Sequence, residues 1–144
     1  MAVFLTFYYP HFMALVFLAF YFAADIPAKG RFLLRASLAI GIALTLAHLN
    51  RLFDLWPAHR FFASGHMTFS LGVALSLGML RPWTLAITLP LLIPFGMALI
   101  VLHFHDPEDV LGAIPLVLGV YWAVHSWWSE AFTSPPLDRV RVSP

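Results

Sequence analysis

The chain has no cysteine among its 144 residues. That excludes a disulfide framework, a thiolate metal centre and a cysteine nucleophile. Charge is almost as scarce: only 10% of residues are Asp, Glu, Lys or Arg, and the formal net charge is +1. Without a basic patch to neutralise phosphates, nucleic acid is excluded as a partner. What remains is apolar. With 61% hydrophobic residues and a mean hydropathy of +0.85, the chain reads as a polytopic membrane protein. It shows no internal repeat and no low-complexity tract. One transmembrane domain over residues 1–128 is expected, followed by a polar, proline-bearing tail over 129–144.

Apolar runs predict an all-α membrane helical bundle of about five transmembrane helices, over roughly 2–24, 32–49, 67–80, 83–102 and 110–128. Each lies near the ~20 residues that a bilayer requires. The first run is too long for a signal-peptide core and reads as a retained helix. The third is short, and residues from Phe61 to Met79 together would bring it to depth. Pro10, Pro90, Pro94 and Pro115 fall inside runs, so neighbouring helices must cover the backbone groups they free. Residues 25–31 read as a polar turn and Arg81-Pro82 as a tight one. With five spans, Lys29, Arg31, Arg35, Arg81, Arg139 and Arg141, six of the eight basic residues, share one side. The positive-inside bias makes that side, and the C-terminus, cytoplasmic. The opposite, outer side then collects His48, His59, His66, His103 and His105, five of the seven histidines, with Asp54, Asp106, Glu108 and Asp109.

Ionisable groups at span ends in so apolar a chain point to a site. In His103–Asp109, reading HFHDPED, Asp106 has the place of a helix N-cap and Pro107 that of the first helical residue. His105 and Asp109 are four apart, so a carboxylate can fix the tautomer of the imidazole and stabilise its charge. Ser64-Gly65-His66 opens the third run in the same way. These parts fit phosphoryl transfer through a covalent histidine. Such chemistry requires a nucleophilic imidazole with an acid holding it, here His105 and Asp109. It also requires a second histidine to protonate the leaving oxygen, here His66, and donors for phosphate oxygens. Ser64 and the open N–H groups of the helix start can supply the donors.

FFASGHMTFSLGVALSL resembles the second signature, Pro-Ser-Gly-His before a membrane helix, of the type 2 phosphatidic acid phosphatase superfamily. HFHDPEDVLGAIPLVLG resembles its third, which ends in His-x-x-x-Asp-Val-Leu. The resemblance covers about residues 60–125 and implies His105 as phosphoryl acceptor, Asp109 as its partner, His66 as general acid, and Ser64-Gly65 as phosphate contacts. The family's usual first span is missing. Its proline is Ala63 here, its Ser-Arg pair falls on Ala98 and Leu99, and its Lys-x6-Arg-Pro signature has no clean match, with Arg51 and Arg60 flanking the loop at another spacing. The sphingomyelin synthase-like branch lacks those arginines in the same way. It carries Ser-Gly-His-Thr, His-x-His-x-x-x-Asp and an aromatic run near a histidine, to which His103-Phe104-His105 and Trp122–Trp128 around His125 are similar. That branch moves phospholipid head groups through a phosphohistidine and uses no metal or other cofactor.

The resemblance therefore implies a membrane lipid phosphotransferase or phosphodiester hydrolase, with a lipid in the membrane as its partner and homo-oligomer formation left open. A monoanionic diester is the easier substrate where few cations are present. Two alternatives stay open: a lipid phosphate monoester phosphatase, with Arg51 or Arg60 in the cation role, and a degenerate lipid-binding or scaffold protein. His103 reads equally as a donor in the site or an interfacial residue, and Asp54 as a base for an acceptor hydroxyl or a loop acid. Arg51 and Arg60 read as phosphate ligands or as anchors at lipid phosphates. His48 and His59 read as interfacial, His125 with its tryptophans as an aromatic belt, and His11 as helix packing. A metal site of His59, His66, His103, His105 and Asp109 has suitable residue types but matches no catalytic metal spacing.

Overall fold

A computed structural model describes residues 2–25, 29–53 and 63–133, and among them all regular structure is helical. Five α-helices follow one another: α1 Ala2–Ala23, α2 Lys29–Phe53, α3 Gly65–Leu80, α4 Leu85–Val101 and α5 Pro107–Thr133, with a 3₁₀ turn at Pro82–Thr84. The all-α bundle expected from the apolar runs is therefore present. Asp54, His59 and Arg60 lie outside the described residues.

Helix boundaries follow local chemistry. Ser64 caps α3, its Oγ accepting from Met67 N–H at 3.3 Å. The helix thus starts two residues before the expected 67–80 run, and the added length from Phe61 is not helical at Ala63 and Ser64, because the hydroxyl stands in for the missing turn. Pro82 opens the 3₁₀ turn, where its missing N–H costs nothing. α2 differs from its apolar run at both ends. Lys29, Gly30 and Arg31, expected in a turn, lie within the helix, and so do Asn50 and Arg51. Hydropathy marks what suits lipid, whereas the helix continues through polar residues that carry no breaker. α5 likewise runs to Thr133, into the segment read as tail; the next proline in the chain is Pro135.

α3 is the axis. It is the shortest α-helix at 16 residues, ~24 Å at the usual rise, yet eleven of those residues are buried. Around it stand, in order, α2, α5, α4 and α1, each packed on α3 and on its neighbour in that series. The ring is open between α1 and α2, which approach where Phe17 lies 6.3 Å from Phe32. Close packing on α3 relies on small residues. Ala36, Ala39, Ala43 and Ala47 form the buried stripe of α2, spaced so that two backbones can come together without help from a hydrophobic effect. Gly72 sits under that contact: a Cβ there would lie 2.8 Å from Ile40 Cγ1.

Polarity is arranged as lipid demands. Two buried hydroxyls turn back on their own helix, Ser76 Oγ to Gly72 O at 2.9 Å and Thr88 Oγ1 to Thr84 O at 2.9 Å, whereas the buried Thr68 Oγ1 and Ser70 Oγ have no hydrogen-bond partner among the described residues. Tyr121 of α5 reaches across to the Gly72 carbonyl and to Ser76 Oγ, both at 2.6 Å. Outward stand large apolar side chains such as Leu15, Phe22, Ile93, Met97, Leu111 and Trp122. α2, the segment Pro82–Val101 and the stretch Pro107–Trp127 are long and apolar enough to cross a membrane. α3 and the described side chains of α1 form shorter apolar stretches. Together these features make the chain a helical membrane protein.

Candidate active site

The start of α3 and the start of α5 are tied by one backbone hydrogen bond, from Ser64 N–H to Asp109 O at 2.9 Å. This bond sets His66 against His105. Their rings are edge to face with centroids 6.0 Å apart. The two helix starts that the sequence singles out are thus one structural unit.

His105 precedes α5 by two residues, and Asp109 lies in its first turn. Asp106 accepts the first backbone bonds of the helix through its carbonyl, from Asp109 N at 3.1 Å and Val110 N at 3.3 Å. Asp109 Oδ2 stands 3.4 Å from His105 Nδ1, so the i,i+4 pair forms across the helix start. The separation exceeds that of a tight N–H···O bond and is of the length that shortens when substrate or charge arrives. Because the carboxylate faces Nδ1, the ring presents Nε2 as its reactive nitrogen.

Both rings open into a cavity of about 800 Å³ at the gap between α1 and α2. His11 lines it from α1, His48 and Arg51 from α2, Gly65 and His66 from α3, and His105 and Asp109 from the α4–α5 junction. Pro10, Ala14, Leu44, Ala47 and Phe69 complete an apolar part of the wall. The cavity is therefore amphipathic, with one carboxylate against an arginine and four imidazoles. Among the described residues nothing accepts from the N–H groups of Gly65 and His66, the first two of α3. At a helix start such amides are anion ligands.

His66 stands at the head of α3, before the apolar run that begins at Met67. Its pKa is lowered from 6.5, first by burial and then by the charges of His105 and His11. An imidazole so placed gives up a proton readily once an anion has brought it one. His48 is held differently: its Nδ1–H donates to Leu44 O at 2.8 Å, which leaves Nε2 as the ring's acceptor.

The structure thus brings together His66, His105, Asp109, Gly65 and Arg51. Ser64 is fully buried with its Oγ engaged as the α3 cap, so it shapes the site and does not line the cavity. His103 is exposed and outside the cavity wall. It has φ 55° and ends α4: His103 N donates to Ile100 O at 2.9 Å and Phe104 N to Leu99 O at 3.0 Å. That pairing is the Schellman motif, with histidine in the left-handed position that glycine usually fills. The reversal of direction there is what turns His103 away from its i+2 neighbour His105. No protein-family model, curated protein or solved structure matches this chain. Leu99, where the resemblance would place an arginine, is wholly buried and offers the site only its carbonyl. Among the described residues no cluster of three or more metal-ligating side chains has metal-binding geometry. Two ionisable residues of the cavity wall lay outside the predicted set, His11 and His48. The available signal was an ionisable side chain within or at the edge of an apolar run.

Proposed function

We propose that this chain is a membrane lipid phosphotransferase or phosphodiester hydrolase acting on phospholipid head groups through a phosphohistidine at His105. The observation that carries the reading is the convergence of His66 and His105, with Asp109 on His105 Nδ1, in one cavity. His105 Nε2 attacks phosphorus, forming the N–P bond while the P–O bond to the leaving alcohol breaks, and His66 protonates the departing oxygen. Water or a second hydroxyl then forms a new O–P bond, the N–P bond breaks with its electron pair returning to Nε2, and the acceptor's proton passes to His66. Asp109 stabilises the His105 ring while it is positively charged.

The amphipathic cavity suits a lipid: phosphate at the imidazoles and Arg51, hydrocarbon along Ala14 and Leu44 toward the opening between α1 and α2. The basic residues Lys29, Arg31, Arg35 and Arg81 belong to the opposite end of the bundle, which the positive-inside bias assigns to the cytoplasm and the site to the outer face. A second reading is a phosphatase of lipid phosphate monoesters. Arg51 favours it, since it places one permanent cation on the cavity wall.

Purified protein incubated with radiolabelled phosphatidylcholine, phosphatidylethanolamine, sphingomyelin and phosphatidic acid, beside His105→Ala, separates these readings. Head-group transfer or diester cleavage that vanishes in the variant supports the first. Inorganic phosphate released only from phosphatidic acid supports the second. A folded wild type inert on the whole panel removes both and leaves a non-catalytic lipid-binding protein.

A further inference from the structure

Resting on the reading of the cavity as a phospholipid head-group site, we propose that His48 of α2 selects the head group. Its ring accepts a hydrogen bond from an amine N–H that a trimethylammonium group lacks, so the favoured substrate class carries an amino head group such as ethanolamine. The sequence reading leaves His48 as interfacial, the resemblance assigns it no part, and the reaction steps above do not use it.

The ring is fixed from two sides. Its Nδ1–H donates to Leu44 O, four residues back on α2, at 2.8 Å, so the uncharged imidazole keeps its lone pair on Nε2. Its Cε1 lies 3.7 Å from where a Cβ on Gly65 would stand. Nε2 is bonded to Cε1, so the accepting nitrogen lies beside the start of α3, next to the amides assigned to the phosphate. Arg51 is three residues further along α2 and lines the same cavity, so the permanent cation and His48 are neighbours on one helix face.

The acceptor at this place has little competition from the groups already assigned. Arg51 can only donate, Asp109 Oδ2 faces His105 Nδ1, and His66 and His105 are engaged by the reacting phosphate. An ammonium next to the phosphate carries N–H donors that require an acceptor, and His48 Nε2 is in reach of that position. Three N-methyl groups on the same nitrogen remove every donor and leave Nε2 against methyl groups. Such a quaternary cation is ordinarily held in an aromatic cage, whereas the described wall has Phe69 and Phe104 and no tryptophan or tyrosine. A site that hydrogen-bonds an N–H rejects the analogue without it, because its own polar group is left unpaired. His48 is exposed, so water takes up part of that loss. The discrimination is then roughly tenfold, the worth of one charge-assisted hydrogen bond.

The test uses the purified full chain in detergent and two matched pairs that differ only in the three N-methyl groups. Phosphoethanolamine and phosphocholine are titrated by calorimetry, and phosphatidylethanolamine and phosphatidylcholine with the same acyl chains are assayed for turnover. Wild type should favour the ethanolamine member of each pair by roughly tenfold. His48→Phe keeps a ring without an acceptor; it should lose that factor on the ethanolamine member alone, so the preference vanishes. His48→Ala gives the same reading where thermal unfolding shows the phenylalanine to disturb the fold, and His48→Gln, which retains a carbonyl acceptor, should keep part of the preference. A variant that weakens both members alike would overturn the inference, since that is the mark of a structural role, and so would a preference that survives His48→Phe and His48→Ala. If wild type turns over both lipids equally, the inference falls and the proposed activity stands. A His48-dependent preference in binding without any turnover supports the inference and removes the proposed catalysis. If wild type neither binds nor turns over, both fall.

Discussion

Adding a single methyl group at Gly65 should move stability and activity in opposite directions. Gly65 is the first residue of α3 and its φ is negative, so alanine fits the backbone. Its Cβ would meet His48 Cε1 at 3.7 Å, an ordinary van der Waals contact, and no other heavy atom within 4 Å. The folded protein therefore has room for it. Restricting the unfolded chain should make Gly65→Ala neutral or more stable by about 0.4–1 kcal/mol. The same methyl would stand in the cavity between α3 and His48, before the open N–H groups of Gly65 and His66. If a phosphate oxygen rests on those amides, losing one hydrogen bond to a charged group costs about 1.5–3 kcal/mol, or roughly 10- to 150-fold in kcat/KM at tenfold per 1.4 kcal/mol. Thermal unfolding in detergent and lipid turnover, measured on the same preparation, read the two effects separately. A Gly65→Ala protein with unchanged kcat/KM would refute the reasoning, because nothing would then approach the backbone at that point.

Gly72 shows the contrary case: valine there must displace Ile40, whose Cγ1 would lie 2.8 Å from the new Cβ, and should cost about 1–3 kcal/mol in thermal or denaturant unfolding. His103→Gly relieves a side chain from the left-handed region at φ 55° and should stabilise by about 1 kcal/mol with unchanged turnover, measured by the same pair of assays. Because the folded-state pKa of His66 lies below 6.5, its contribution to stability is present above that pH and is lost as pH falls through the folded value. The unliganded protein should accordingly melt lower at pH 5 than at pH 7.5, and His66→Gln should reduce that difference. If His66 acts in its protonated form, kcat/KM should rise as pH falls from 8 toward 6, and His66→Gln should flatten the profile.

Much of the architecture was legible because hydropathy and punctuation agree. The five apolar runs become the five helices, and Ser64, Arg81-Pro82 and Asp106-Pro107 mark boundaries through chemistry that acts within one turn. The pairing of His105 with Asp109 was legible for the same reason. The association of His66 with His105, expected from the two motifs, is made by the long-range bond from Ser64 N–H to Asp109 O, which no local pattern displays. His103 shows where local spacing misleads. Two histidines separated by one residue suggest a pair, but the left-handed turn at the first sends them in different directions.

The central place of α3 could have been read from its composition. GHMTFSLGVALSLGML combines three glycines with Ser70, Ser76 and Thr68, and small and hydroxylic residues belong where helices approach closely in lipid. A helix of only 16 residues that is too short to reach both faces makes sense once four others surround it. His66, at the head of α3, and His11, midway along α1, line the same cavity. Tyr9 of α1 stacks on Phe95 of α4 with ring centroids 4.5 Å apart, which fixes α1 against the bundle. His11 follows two residues later and meets the cavity for this reason. The packing of α1 on α3 and α4 is what makes a histidine in a hydrophobic helix part of the cavity wall.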